Sequence, residues 1–372
     1  MTATISLFTR FPNLERGLPR QVLTQLPTPV TDAATVGDSI GVRKLLIKRD
    51  DLTGDVYGGN KVRKLEFLLG RALADGVKEV VTFGYAGSNH ALATAIYSLR
   101  AGLKTTSVLL PQTNAAYVRR NISAAVAAGA RIRLKPSERA IAAWVIRDQI
   151  LGVLRAGKRP MLIPPGGSSP AGVAGFVNAG LELAEQIECG EVPLPDRIYM
   201  PISSMGSSVG LYIGLQLAGL RIPIHAVRVI EESYVSGNGI GKLLNRTVKF
   251  LRSLDSSVPE IRLDEQLLVL RHEHVGDGYA RFSEEGMRAV QFVANRLQLP
   301  LEGTYSGKAF SCLISDAEGG MLADQQVLFW NTHNSRQFVR TYPLSDEALI
   351  PDPVRKLLDS PMQSLDQGTP DA

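Results

Sequence analysis

Cysteine is scarce. Cys189 and Cys312 are the two thiols in 372 residues, too few for a disulfide scaffold and without the paired spacing of a structural zinc site. A reducing cytoplasm is therefore the expected compartment. Long apolar runs are missing as well: no stretch approaches the roughly 20 residues that cross a bilayer, and the opening MTATISLFTRFPNLERG is broken by Arg10 and Arg16. The chain is expected to be soluble, unexported and without a membrane partner. Histidine is limited to His90, His225, His272, His274 and His333, and no two of them have the HExxH spacing of zinc hydrolases. His272 and His274 alternate on what reads as a strand and would share a face, but Glu273 points away and no third ligand is near, so no metal site is expected. No GxSxG elbow follows a strand, which excludes the usual serine hydrolase turn. Charge of one sign is also in small excess. The 41 basic and 36 acidic side chains leave +5, and the basic ones are dispersed, so nucleic acid is not an expected partner. A small ligand carrying carboxylate or phosphate is compatible with this balance.

What is present is an ordinary globular composition, 44% hydrophobic and 21% charged, at a length that suits two lobes. From about residue 77 short β-rich runs alternate with longer Ala- and Leu-rich stretches. VKEVVTF, KTTSVLL, RIRLK and MLIPP read as strands, separated by the helix-like ALATAIYSLRAG, AAYVRRNISAAVAAG and ERAIAAWVIRDQILGVLRAG. That order predicts parallel βαβ units. A second set begins at Asp196 with DRIYMPI, the loop SSMGSSVG, the helix LYIGLQLAG and the strand IPIHAVRVI. The expected fold is α/β, with two doubly wound lobes built on mostly parallel sheets. Ser283 is expected to cap a helix ending near residue 297, and VLFWN reads as a last buried strand. The large lobe is assigned to 1–63 and 176–345, the smaller one to 64–175, and 346–372 is expected to be a flexible tail.

Ligands of open parallel sheets bind where strands end and helix N-termini aim their N–H groups outward, and three such corners carry unusual residues. In VVTFGYAGSNHALATA, Gly84 and Gly87 let the backbone turn closely and Ser88, Asn89 and His90 stand at the mouth of the next helix, where they suit a carboxylate or, equally, an ordinary cap. In MPISSMGSSVGL, Ser203, Ser204, Gly206, Ser207 and Ser208 surround a turn that offers hydroxyls and N–H groups to a phosphate, or simply faces water. No lysine follows in Walker fashion, and SGNGIGK and GTYSGK have the wrong glycine spacing for nucleotide loops, so both are expected to be turns. In KRDDLTGDVYGGNKVRKLEF, Lys61 follows Gly58, Gly59 and Asn60 at an apparent helix start. Brought against a cavity, its amine would lose water, drop in pKa and become nucleophilic; left outside, it is a solvated helix-end lysine.

Together these corners resemble the fold type II pyridoxal phosphate enzymes, tryptophan synthase beta-like in architecture, and more narrowly the D-cysteine desulfhydrase and 1-aminocyclopropane-1-carboxylate (ACC) deaminase family, from about Leu23 to Arg340. KRDDLTGDVYGGNKVRKLEF is similar to the family's KRDD…GGNKxRKLE, whose lysine forms the Schiff base with the coenzyme. The resemblance assigns that role to Lys61 and directs Lys64 toward the coenzyme phosphate, held with Ser204, Met205, Gly206 and Ser207. GSNHALATA resembles QSNHxRxTA and implies that Ser88, Asn89 and His90 receive the substrate carboxylate, with Asn89 also near the coenzyme's phenolic oxygen. PPGGSSPAGVAGF resembles GGSxxxGxxGY, and LEGTYSGKAF resembles LDPVYTGKAM, which makes Tyr305 an active-site phenol. Tyr279 in GDGYARFS matches a second one. The flanking Gly278 and Gly307 are consistent with close approach of a ligand.

Departures shape the expected activity. Met205 stands where the family has Gly, and VLFWNTHNSR keeps Thr332 of LFxHTGG while placing Asn331, His333 and Asn334 around it. Thr332 is implied to face the pyridine nitrogen, where a neutral hydroxyl disfavours transamination. His90 and Ser306 lean toward the desulfhydrases, since ACC deaminases resemble SNQ and carry Glu at those places. The implied function is a lyase that removes the Cα proton of a small amino acid through Lys61 and eliminates a β-substituent, with Tyr279 and Tyr305 serving the departing group, to give thiol, 2-oxo acid and ammonia. Alternatives are ACC-type ring opening, β-replacement, and a homologue that binds the coenzyme without this chemistry. Family members imply a homodimer.

Overall fold

The computed structural model of the chain describes residues 4–156, 158–343 and 347–366, with side chains left out at 152–156 and 347. Its strands are β1 (Val30–Asp32), β2 (Lys44–Lys48), β3 (Glu79–Tyr85), β4 (Lys104–Leu110), β5 (Arg131–Leu134), β6 (Met161–Ile163), β7 (Arg197–Ile202), β8 (Ile224–Arg228), β9 (Leu268–Arg271) and β10 (Gln326–Trp330). They form a six-stranded sheet in the order β1-β2-β10-β7-β8-β9 and a four-stranded sheet in the order β5-β4-β3-β6. Every pairing is parallel except that of β1 with β2. The fold is thus the expected α/β arrangement of two lobes.

β10 lies at the centre of the larger sheet although it comes last in the chain. Val327, Leu328, Phe329 and Trp330 are fully buried, as a strand covered on both faces requires of a continuous apolar run. Helices Pro170–Glu188 and Gly206–Leu217 pack closely against each other through Gly180 and Gly214, where a Cβ on either would come within 2.8 Å of the other's Cα.

Three expectations are corrected. SGNGIGK is no turn: Ser236 caps the helix Gly237–Leu254, accepting from the Gly239 N–H at 3.2 Å, and Ile240, Leu243 and Leu244 anchor that helix in the core. His272 and His274 lie beyond the end of β9 and part company. Nδ1 of His272 accepts from Arg228 at 3.0 Å, whereas Nδ1 of His274 meets the Ser311 hydroxyl at 3.0 Å. The C-terminal stretch is packed over Ile350–Leu358. Helix Asp352–Leu358 buries Val354 and Leu358, with Ile350 before it, in the apolar core of the four-stranded lobe. Of the expected tail, 346 and 367–372 lie outside the described residues.

The charged head of the KRDD segment forms a buried ionic frame. Arg63 reaches Asp50 at 2.7 Å and Glu182 at 2.8 Å, and Lys48 donates to Glu182 at 2.7 Å and to Gln186 at 2.5 Å. Burial alone would raise the Glu182 carboxyl, but Arg63 and Lys48 hold it down at about 2. Removing one partner of such a network leaves a buried charge uncompensated, at a cost of roughly 3–5 kcal/mol. The frame ties helix Asn60–Ala74 to β2 and to helix Pro170–Glu188, and so fixes where Lys61 stands.

Candidate active site

Helix Asn60–Ala74 starts at a corner that tolerates only glycine. A Cβ on Gly58 would lie 1.9 Å from the Asp51 carbonyl oxygen, and Gly59 has φ +89° with the Thr332 carbonyl oxygen 2.9 Å from any Cβ. The Asn60 N–H donates to that carbonyl at 3.2 Å, which docks the helix start against the loop after β10. Lys61 follows. Its amine donates to Asn60 Oδ1 at 2.9 Å and lies 5.9 Å from the centroid of the Tyr305 ring. Burial pulls its pKa down to about 8, with the Glu302 carboxylate opposing the shift, so the free amine is accessible near neutrality.

One turn on, the Lys64 amine donates to the Gly166 carbonyl at 3.0 Å and to Ser168 Oγ at 3.4 Å. Burial, then the charge of Lys61, hold it well below the usual lysine range. Above it, helix Gly206–Leu217 begins at Met205, which adopts φ +63° and gives no side-chain cap. The first-turn N–H groups of a helix have no intrahelical acceptor. Ser208 Oγ is buried without a hydrogen-bond partner, while Ser207 Oγ accepts from Asn60 at 2.9 Å and Ser204 Oγ from Ser168 at 2.9 Å. A Cβ at Gly206 would meet Ser168 Oγ at 2.5 Å and Lys64 Nζ at 2.9 Å. The Ser204, Ser207 and Ser208 hydroxyls, the helix-start N–H groups and the Lys64 amine, gathered round a glycine that lets them approach closely, fit a phosphate.

On the facing wall Ser88 caps helix Asn89–Arg100, its hydroxyl accepting from the Ala91 N–H at 3.2 Å. Asn89 Oδ1 accepts from Asn121 at 2.9 Å and Tyr57 at 3.3 Å. His90 is buried, and neither ring nitrogen has a well-formed partner; burial, then Lys61 and Lys64, keep it neutral.

Tyr279 and Tyr305 share a very short hydrogen bond between their hydroxyls, and the Tyr85 ring packs on Tyr279 at 4.6 Å. Burial pushes both phenols well above the ordinary tyrosine range, so they hold their protons. Two residues outside the expected set position them. Glu302 accepts from the N–H groups of Tyr305 and Ser306 at 2.8 Å and lines the cavity, and Lys308 donates to the carbonyls of Val275 and Gly278 at 2.6 and 2.9 Å, tethering the loop that carries Tyr279. An acid three residues before Tyr305 is the one sign of Glu302 in the sequence, and Lys308 falls in GTYSGK, which is expected to be a turn but whose Ser306, Gly307 and Lys308 open the helix Ser306–Glu318.

A single cavity of about 720 Å³ gathers Lys61, Ser88, Asn89, His90, Ser204, Met205, Ser207, Tyr279, Tyr305 and Thr332. Lys64 and Gly206 stand behind its wall, Lys64 through contacts with Gly166 and Ser168, which line it. The Asn331–Asn334 replacement is accommodated by side-chain bonding: Asn334 Oδ1 accepts from the Gly58 N–H at 2.5 Å, and Asn331 Oδ1 from the His333 N–H at 3.2 Å. Among the described residues no group of three or more His, Cys, Asp and Glu is placed to hold a metal, and no helix is long and apolar enough to cross a membrane.

The pattern of the family described as pyridoxal-phosphate dependent enzyme matches residues 22–332. The chain is 34% identical over 325 residues to the nocardicin C-9' epimerase of Nocardia uniformis subsp. tsuyamanensis, covering 86% of this chain and 94% of that one. It is 31% identical to a putative 1-aminocyclopropane-1-carboxylate deaminase of Pyrococcus horikoshii, covering 84% and 91%. To the D-cysteine desulfhydrase of Klebsiella pneumoniae subsp. pneumoniae it is 28% identical, covering 90% and 98%. A crystal structure of an ACC deaminase homologue superposes with a TM-score of 0.73 at 29% identity, over 89% of this chain and 95% of that one.

Proposed function

Because the chain belongs to the pyridoxal-phosphate dependent enzymes, and within them to the fold type II group of ACC deaminases and D-cysteine desulfhydrases, we propose that it is a deaminating lyase that removes the Cα proton of an amino acid and eliminates a β-substituent. The observation that carries this reading is the desolvated Lys61 amine beside the Tyr279–Tyr305 pair in one cavity.

Lys61 would hold the coenzyme through its amine, the Ser204–Ser208 turn and Lys64 would hold its phosphate, and Asn89 and Thr332 would flank its ring. When bound, pyridoxal phosphate supplies a conjugated ring that takes up the electron pair left at Cα. The remaining work falls to side chains. Ser88 and the first N–H groups of helix Asn89–Arg100 bind the substrate carboxylate. Lys61, its pKa lowered by burial toward neutrality, takes the Cα proton. Tyr305 and Tyr279, kept protonated by burial, place a hydroxyl proton at the departing group. Asn89 and His90 stand beside the substrate carboxylate in the same reading, His90 as a buried, neutral ring that brings no charge to it. The proposed working form is a cytoplasmic homodimer, checked by light scattering on the purified holoenzyme.

A second reading is epimerisation, in which the proton is returned to the opposite face of Cα; the 34% relative named as an epimerase favours it. Incubation with D- and L-cysteine, β-chloroalanine and alanine in D2O separates the two. Elimination gives 2-oxo acid and ammonia, whereas epimerisation gives deuterated amino acid of inverted configuration. Lys61→Ala should lower either rate on the order of 10³-fold. Absence of Cα exchange with every amino acid tested would overturn both.

A further inference from the structure

We infer that the cavity has a second, apolar compartment that receives the substrate's side chain, and that the natural substrate is an amino acid carrying a bulky aryl or branched-alkyl group whose far end bears a hydrogen-bond donor. This rests on the proposed action at Cα.

Cavities of roughly 300–1,000 Å³ enclose drug-sized ligands, and this one, at about 720 Å³, is divided by chemistry. The polar groups that suit coenzyme and carboxylate converge at the starts of three helices. The rest of the lining is apolar, and much of it comes from helix Glu138–Ala156 of the small lobe, where Ile141, Ala142, Val145 and Ile146 lie one turn apart on a single stripe facing the cavity. Phe83 from β3 lines the cavity beside them, and Phe83, Ile141 and Val145 are backed by the buried cluster of Val81, Val108 and Trp144 in that lobe. Ile146 is 66% exposed, an isoleucine left open where the cavity meets solvent.

Glu138, one turn ahead of the stripe, closes the compartment. Its carboxylate accepts from the Tyr234 hydroxyl at 2.7 Å, joining the small lobe to the loop after β8, and both residues line the cavity. The compartment therefore has an apolar body with a carboxylate and a phenol at its rim, which suits an apolar substituent ending in a hydroxyl or ammonium. A side chain as short as that of cysteine would leave this wall wetted. A bulky one displaces poorly held water from it, which strengthens binding.

The test compares alanine, cysteine, phenylalanine, tyrosine and homophenylalanine, each as both enantiomers, by Cα-proton exchange in D2O with the holoenzyme and by calorimetric titration at several temperatures. The bulky amino acids should exchange with kcat/KM on the order of 100-fold above alanine and bind with a negative heat-capacity change. Ala142→Trp and, separately, Ile146→Glu should reduce that preference at least tenfold, with circular dichroism melting confirming that each variant folds. Exchange of alanine or cysteine as fast as that of every bulky amino acid would overturn the compartment while leaving the action at Cα standing. Exchange of none would overturn the action at Cα, and calorimetry then decides the compartment alone. A heat-capacity change on phenylalanine binding that is abolished by Ala142→Trp supports it, and its absence refutes it.

Discussion

Two helices open onto the cavity from opposite walls, and they open differently. Helix Asn89–Arg100 is capped by Ser88, whose backbone is relaxed and whose hydroxyl takes one of the helix's own first-turn N–H groups. Helix Gly206–Leu217 starts at Met205, a left-handed residue with no side-chain cap, so its first N–H turns to the Ser204 carbonyl at 2.8 Å and Ser168 Oγ at 3.2 Å, and the Ser208 hydroxyl is left without a partner. A helix start that satisfies itself gains local stability, about 1 kcal/mol for a serine cap. One that does not is stable only if something else supplies the acceptor, and the strain at Met205 is the cost of aiming its donors outward. In the proposed arrangement the phosphate takes the second wall, and the weaker, exchangeable carboxylate the first.

The largest test removes the space at the uncapped start. Gly206→Val drives a side chain into Ser168 and Lys64, and coenzyme affinity followed by fluorescence titration should fall at least on the order of 100-fold, close to 3 kcal/mol. An unchanged affinity would dissolve the contrast between the two walls. Next, Ser88→Ala strips the capped start of its acceptor and should cost about 1 kcal/mol in urea unfolding of the coenzyme-free protein, with a raised KM for the amino acid. The third prediction sharpens the other side. Met205→Ala keeps the positive φ and loses packing, whereas Met205→Gly relieves the strain, so the Gly variant should be the more stable of the two by about 1 kcal/mol in the same assay.

The smallest effect is read on the amine between the walls. The folded-state pKa of Lys61, about 8 in the coenzyme-free protein, lies below its unfolded value, so the unfolded chain binds more protons between about pH 8 and the ordinary lysine range. Stability from this group is penalised below pH 8 and recovers as pH rises. The unfolding free energy of wild type relative to Lys61→Ala should accordingly increase from pH 8 to pH 10. Lys308, also near 8, contributes the same slope to both proteins and cancels. A difference that is flat across this range would show that Lys61 is solvated.

Much of the fold was legible because it is written locally. VVTF, KTTSVLL, RIYMPI and VLFW are short β-rich runs flanked by helical stretches, and the parallel order follows from their alternation. Glycine pairs and serine-rich corners after strands marked where a ligand could sit. SGNGIGK reads as a turn because three glycines and an asparagine favour one, while Ile240, Leu243 and Leu244 make it a helix only by docking on a core remote in sequence. The tail was misread for the same reason: Ile350, Val354 and Leu358 are too sparse to declare a buried face until the four-stranded lobe provides one. Lys308 is not legible because nothing local distinguishes an ammonium that bonds to carbonyls of a loop brought alongside by folding, whereas Glu302 bonds to N–H groups three and four residues on and only its place against the cavity needs the fold.

The amino-acid sequence by itself determined the alternating strands and helices of the parallel sheets, which corners are open enough for a ligand, and which lysine follows the paired glycines, since each depends on residues within a few positions of one another. Tertiary structure decided that Lys61 loses its water, that Tyr279 and Tyr305 meet, that Asp50, Arg63 and Glu182 lock into one frame, and that an apolar wall from the small lobe enlarges the cavity. Those properties depend on burial and on contacts between segments remote in sequence, 119 residues apart for Arg63 and Glu182 and 96 for Glu138 and Tyr234, and desolvation acts on a group only after the chain has closed around it.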